Sequence, residues 1–145
     1  MNQKLQRATE LFSDVMVYGK NKVYEHINYE IQGEFSIEQM KVLELLHTHH
    51  SLTSKELQSM IGIHKSAISN RLKKLSDRGD IVFVQEDKDQ RVKHVKLTDQ
   101  GTEAYVEISA QVDEYLNQLL GGIKDEELDQ LIATFEKVKD IFQKN

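Results

Sequence analysis

The chain has 145 residues, the size of one domain, with no cysteine, proline or tryptophan and only seven glycines. The missing cysteine excludes a disulfide framework, thiol chemistry and a Cys-based zinc site, and the missing proline leaves little to interrupt helices. Apolar residues make up 39% of the chain and charged residues 30%, enough for a modest core, and no apolar run approaches the roughly 18–20 residues of a membrane span.

The first residues, Met1 to Arg7, lack a secretory apolar stretch, so the expected location is the cytoplasm. The net charge of −5 argues at first against a nucleic-acid partner. Its distribution argues the other way. Residues 53–98 carry ten Lys/Arg against six Asp/Glu, whereas 1–52 carry five against seven and 99–145 four against eleven. A basic centre between acidic flanks marks where an anion would dock.

Leu5, Ala8, Phe12, Val15, Gly19, Val23 and Ile27 recur at steps of three and four, which predicts a long first helix. Gly19 lies on that stripe, so a close backbone approach or a kink is expected there. Ser36 with Gln39 forms a capping box, Phe35 and Met40 stand at staple spacing, and a second helix follows into His47–Ser51. Thr53 with Glu56 repeats the device for a short third helix, with Leu52 and Leu57 as its staple, which Gly62 stops. A fourth helix runs from about His64 to Gly79, with a narrow stripe of Ile68, Leu72 and Leu75.

The period then changes to that of strands. Ile81–Val84 is β-branched and aromatic, Val92–Leu97 alternates, and the polar stretch from Gln85 to Gln90 joins them as a hairpin. Helical spacing resumes after Thr98, breaks at Gly121-Gly122, and returns with Leu128, Leu131, Ile132, Phe135, Val138 and Phe142. The predicted order is α-α-α-α-β-β-α-α, a mainly helical fold with a small hairpin wing and no internal repeat.

Two short helices around Gly62 followed by a hairpin describe a winged helix-turn-helix, whose second helix must bury one face and offer the other to the major groove. With Ile68 inward at 100° per residue, Ser66, Asn70 and Lys73 point outward, Ser69 and Lys74 flank them, and Lys65 stands at the helix start. Asn pairs bidentately with adenine, Lys reaches guanine or phosphate, and Ser bonds to either. On the hairpin tip, Arg91 is placed for the minor groove, with Asp89 able to hold it. Thr53, Lys65, Ser66, Ser69, Asn70, Lys73, Lys74, Lys88, Asp89 and Arg91 form the expected DNA-binding set.

The run Leu57 to Ser69 resembles the helix-turn-helix of the MarR family of bacterial transcriptional regulators. Ser76–Val82 is similar to that family's passage from recognition helix to wing, Asp89-Gln90-Arg91 to its Asp-x-Arg signature, and Leu97-Thr98-Asp99-Gln100-Gly101 to its Leu-Thr-x-x-Gly step. The resemblance covers essentially the whole chain. It implies a single 1–145 domain: dimerisation helices at 1–34 and 120–145, a DNA-binding head at 36–98, and a linking helix at 99–120. It further implies a homodimer on a pseudo-palindromic operator of double-stranded DNA, in many members a repressor released by a small aromatic or phenolic effector. Apart from that resemblance, the terminal helices carry more apolar surface than so small a head should cover, which itself calls for a two-fold partner.

The chain departs from two branches of that family. It has no cysteine for oxidant sensing, and its fifth helix lacks the histidine used by metal-sensing members. His47, His49 and His50 read as a solvated helix end, where histidine favours the helix dipole. Tyr18, Tyr24 and Tyr29 on the first helix either line an effector pocket or pack the dimer, the commoner use. No Gly-rich phosphate loop, nucleophile–base order or paired carboxylates point to an enzyme or a cofactor. The rival to an operator-binding regulator is a winged-helix module for protein contacts.

Overall fold

The computed structural model describes residues 2–31, 35–85 and 91–145, with the backbone alone for 27–31. Its elements run α1 (Gln3–Ile31), α2 (Ile37–His49), β1 (Leu52–Thr53), α3 (Ser54–Ile61), α4 (Lys65–Arg78), β2 (Ile81–Val84), β3 (His94–Leu97), α5 (Asp99–Leu120) and α6 (Asp125–Lys144). By their contacts they form two compact units, Met1–Val112 and Asp113–Asn145, with α5 running through the division.

In the first unit, both expected capping boxes form. The Ser36 hydroxyl accepts from the Gln39 N–H at 3.1 Å, while the Gln39 side chain accepts from the Ser36 N–H at 2.9 Å. Thr53 and Glu56 repeat the exchange at 3.1 Å each way. Gly62 and Gly79 end α3 and α4 in the left-handed region, at φ +76° and +86°, which a residue without Cβ reaches freely.

One strand departs from the predicted order. Leu52 and Thr53 pair with Val95 and His94, so the wing is a three-stranded antiparallel sheet ordered β1-β3-β2 rather than a plain hairpin. His50 makes the approach possible. It turns the chain out of α2 at φ +68°, with the Ser51 N–H donating to the His49 carbonyl at 2.8 Å, an i→i+2 bond of the γ-turn type. Leu52 is thereby buried against the core built from Phe35, Val42, Leu43, Leu46, Leu57, Ile68, Leu72, Leu75, Ile81, Val95 and Ile108.

α1 is continuous through Gly19, and a Cβ placed there would meet nothing among the described residues within 4 Å. Neither the kink nor, among the described residues, the close approach expected there is seen. Val23 packs on the core, whereas Leu5, Leu11, Phe12, Val15, Met16 and Val17 are exposed.

The second unit holds the end of α5 and all of α6. The Lys124 N–H donates to Glu127 Oε1 at 3.2 Å, and Asp125, Glu126 and Glu127 fill the first turn, where negative charge suits the helix dipole. No residue of α6 is buried, and Leu128, Leu131, Ile132, Phe135, Val138, Ile141 and Phe142 are all exposed.

Candidate nucleic-acid interface

The helix-turn-helix is built from α3 and α4, each held at its ends by local chemistry. Glu56 at the start of α3 is drawn below the usual carboxylate range, first by the Thr53 backbone N–H, then by the Thr53 side chain, and further by His94 and His49. A lowered carboxylate stabilises the fold above its unfolded value, and that contribution disappears as pH falls through the folded value. Glu56→Gln is expected to keep an acceptor for the Thr53 N–H and to flatten the acid limb of a plot of melting temperature against pH. An acid limb identical to the parent's would show that the ionised box contributes nothing.

α4 buries Ile68, Leu72 and Leu75, one stripe at steps of four and three. That orientation leaves Lys65, Ser66, Ser69, Asn70, Lys73 and Lys74 all exposed, so the six α4 residues expected from the sequence lie on one solvent side. Thr53 is half-buried at the cap of α3, and its hydroxyl is occupied by the Glu56 N–H. Arg91 is exposed where the chain returns into the wing. Lys88 and Asp89, and with them the Asp89–Arg91 pairing, lie outside the described residues.

A groove of about 230 Å³ runs beside α4, lined by Ser54, Ser69, Leu72, Lys73, Ser76, Asp77 and Phe83. Sequence reasoning did not single out Ser54 or Phe83. The signal was weak because β2 does not alternate: Val82 and Phe83 are both exposed.

Two bases of the positive centre are not simply free cations on its surface. Arg78 turns back from the end of α4, its Nε 3.1 Å from Asp80 Oδ2 and its guanidinium 4.1 Å from the Phe35 ring centre. Arg71 is half-buried and buries its Nη1. Arg78 and Asp80 of the segment thus offset each other in a local pair.

His47 lies against Tyr105 of α5 with ring centres 4.7 Å apart, and His94 Nδ1 lies 3.3 Å from Ser51 Oγ. Among the described residues no group of three His, Asp or Glu is placed to hold a metal ion. Tyr18 is exposed, Tyr24 is half-buried six residues further along α1, and the Tyr29 side chain lies outside the described residues. The groove beside α4 is lined by none of them.

Residues 35–93 match the model of the MarR family, which spans the helix-turn-helix and the start of the wing. Over 143 residues the chain is 32% identical to the helix-turn-helix transcriptional regulator YdgG of Bacillus subtilis, covering 97% of this chain and 94% of that protein. The chain belongs to the MarR family. A MarR-family protein is a DNA-binding transcriptional regulator and not an enzyme.

Solved structures agree on the fold. A MarR family protein from Bacillus stearothermophilus superposes with a TM-score of 0.80 at 17% identity, covering 99% of both chains. A mutant MarR from E. coli complexed with operator DNA superposes at 0.76 with 20% identity, covering 93% of this chain and 95% of that one. No helix of the described MarR-type chain is long and apolar enough to cross a membrane.

Proposed function

We propose that the chain works in the cytoplasm as a homodimer, binds a pseudo-palindromic operator with α4 of each copy in a major groove, and represses transcription until a small aromatic or phenolic effector releases it. The observation that carries this reading is the outer side of α4, where Lys65, Ser66, Ser69, Asn70, Lys73 and Lys74 are exposed together opposite a buried Ile68–Leu72–Leu75 stripe. Asn70 and Ser66 read bases, the lysines and the Thr53 end of α3 hold phosphates, and Lys88, Asp89 and Arg91 bring the wing to the adjacent minor groove. The E. coli MarR mutant solved with operator DNA has the same fold and supports this docking.

In this reading 36–98 is the head, 1–34 and 120–145 are the dimerisation helices, and 99–120 links them. Support for the dimer comes from the exposed apolar residues of α1 and α6, which a single soluble chain does not leave in water without consequence. An effector would sit among Tyr18, Tyr24 and Tyr29.

The test begins with selection of a duplex from a random library, followed by salt titration of that duplex and a scrambled one. Asn70→Ala is expected to lose about 1–3 kcal/mol and to relax preference at one base pair of each half-site, with the salt slope nearly unchanged. Arg91→Ala should weaken both duplexes and flatten the slope of log K against log salt by about one unit for each phosphate it ceases to neutralise. Asn70→Ala binding both duplexes as the parent does would remove α4 as the reader. A parent chain that enriches no duplex and shows no salt dependence would favour the protein-contact module instead.

A further inference from the structure

The end of α4 is fastened to the start of α5 by an arrangement the DNA reading does not require. α4 leaves through Gly79, with the Asp80 N–H donating to the Leu75 carbonyl at 2.9 Å. Three consecutive carbonyls, those of Arg78, Gly79 and Asp80, are then taken by the first residues of α5 and its cap. The Gln100 side chain donates to the Arg78 carbonyl at 2.8 Å, the Thr98 hydroxyl to the Gly79 carbonyl at 2.5 Å, and the Thr98 N–H to the Asp80 carbonyl at 3.1 Å. Thr98 also caps α5, its hydroxyl accepting from the Gly101 N–H at 3.1 Å.

At the centre lies the Asp80 carboxylate, 1% exposed. One oxygen accepts from Gln100 Nε2 at 3.0 Å and the other from Arg78 Nε at 3.1 Å. Arg78 in turn lies over the Phe35 ring, just ahead of α2. An ion pair with one buried partner is a poor source of stability, because the cost of burying the charge offsets much of the attraction. What it supplies here is direction. The fasteners fix the exit of α4 against α5, and each needs a particular angle between the two helices.

We infer that Asp80, Gln100 and Thr98 are positioning residues that yoke the recognition helix to α5, so that α4 turns with α5 as one body. The inference rests on α4 being the DNA reader for its consequence but not for its geometry. A turn of α5 then changes how Ser66, Asn70 and Lys73 meet the groove, without any of the three fasteners touching DNA.

The chain has no cysteine, so a pair of nitroxide labels can be placed cleanly. Asp77→Cys on α4 and Glu107→Cys on α5 are both exposed positions outside the joint. The doubly labelled chain is diluted into excess unlabelled chain, so that each dimer carries one labelled copy, and the distance distribution is measured in Gln100→Ala and Asp80→Leu backgrounds. Gln100 is exposed, so its truncation removes no apolar core contact, whereas Asp80→Leu tests the carboxylate itself, and melting temperature is followed for both.

The parent labels should give one narrow distance, and Gln100→Ala a distinctly broader one while the chain stays folded, its melting temperature lowered by the Asp80 oxygen left without its donor. On the selected duplex, Gln100→Ala should lose about fivefold in preference over the scrambled duplex while keeping its nonspecific affinity. A distribution as narrow in folded Gln100→Ala as in the parent overturns the yoke, whether or not Asp80→Leu folds. The distance measurement needs no DNA, so a parent that selects no duplex would defeat the operator reading and leave the yoke standing.

Discussion

Removal of residues 125–145 should leave an aggregating chain, if the chain pairs through its terminal helices as proposed. α6 exposes seven large apolar side chains, from Leu128 to Phe142, and α1 exposes as many, from Leu5 to Tyr18. Full burial of such a side chain is worth about 1.5–3 kcal/mol, hence on the order of 1 kcal/mol for the half of its surface left in water. Across two copies, α6 contributes on the order of 14 kcal/mol to a dimer, comparable to the roughly 4–15 kcal/mol that association costs. With α1 and α6 together the balance favours the dimer, and with α1 alone it stands about level. The truncated chain would also leave the α1 residues in water with nothing to cover them, which is a route to aggregation. Light scattering behind size exclusion checks the mass, and melting at several concentrations checks the linkage, since a dimer melts higher as its concentration rises. A soluble, well-folded monomer after truncation would contradict the dimer.

Much of this fold was legible in the sequence because its signals are local. The Ser36/Gln39 and Thr53/Glu56 boxes need only a hydroxyl and an amide or carboxylate three residues apart, and both form as expected. Gly62 and Gly79 stop their helices for an equally local reason. The outward side of α4 followed from taking Ile68 as inward, and the burial of Leu72 and Leu75 agrees. β1 was not legible, since two residues carry no period, and Leu52–Thr53 is a strand only because Val95 and His94 pair with it from forty residues away. Arg78 and Asp80 were misleading for the same reason. In a charge count they are one base and one acid of the central segment, but in space Phe35, from before α2, and Gln100, from α5, draw both into the joint. Composition records charge, and only tertiary packing decides which charges are paired or buried.

That joint also governs the second large expected effect, Gly101→Ala. Gly101 is buried in the first turn of α5, and a Cβ there would stand 1.9 Å from the Asp80 carbonyl oxygen and 2.8 Å from its carbon. Alanine normally gains about 1 kcal/mol over glycine inside a helix. Here the obstructing atoms are backbone, and the carbonyl in the way already accepts the Thr98 N–H, so it cannot yield without breaking that bond. Overpacking costs about 1–3 kcal/mol where side chains can shift, and more where they cannot. The expected net loss is about 3 kcal/mol, roughly 6–12 °C in melting temperature for a chain of this size. Gly19→Ala is the control, since its Cβ meets nothing among the described residues within 4 Å and the position is exposed on α1. It should gain about 1 kcal/mol if that face stays open, and lose stability if the backbone of a second copy packs there. A Gly101→Ala protein that melts with the parent would mean that α5 does not approach Asp80 this closely, and the fastening of α4 to α5 would be looser than the structure makes it.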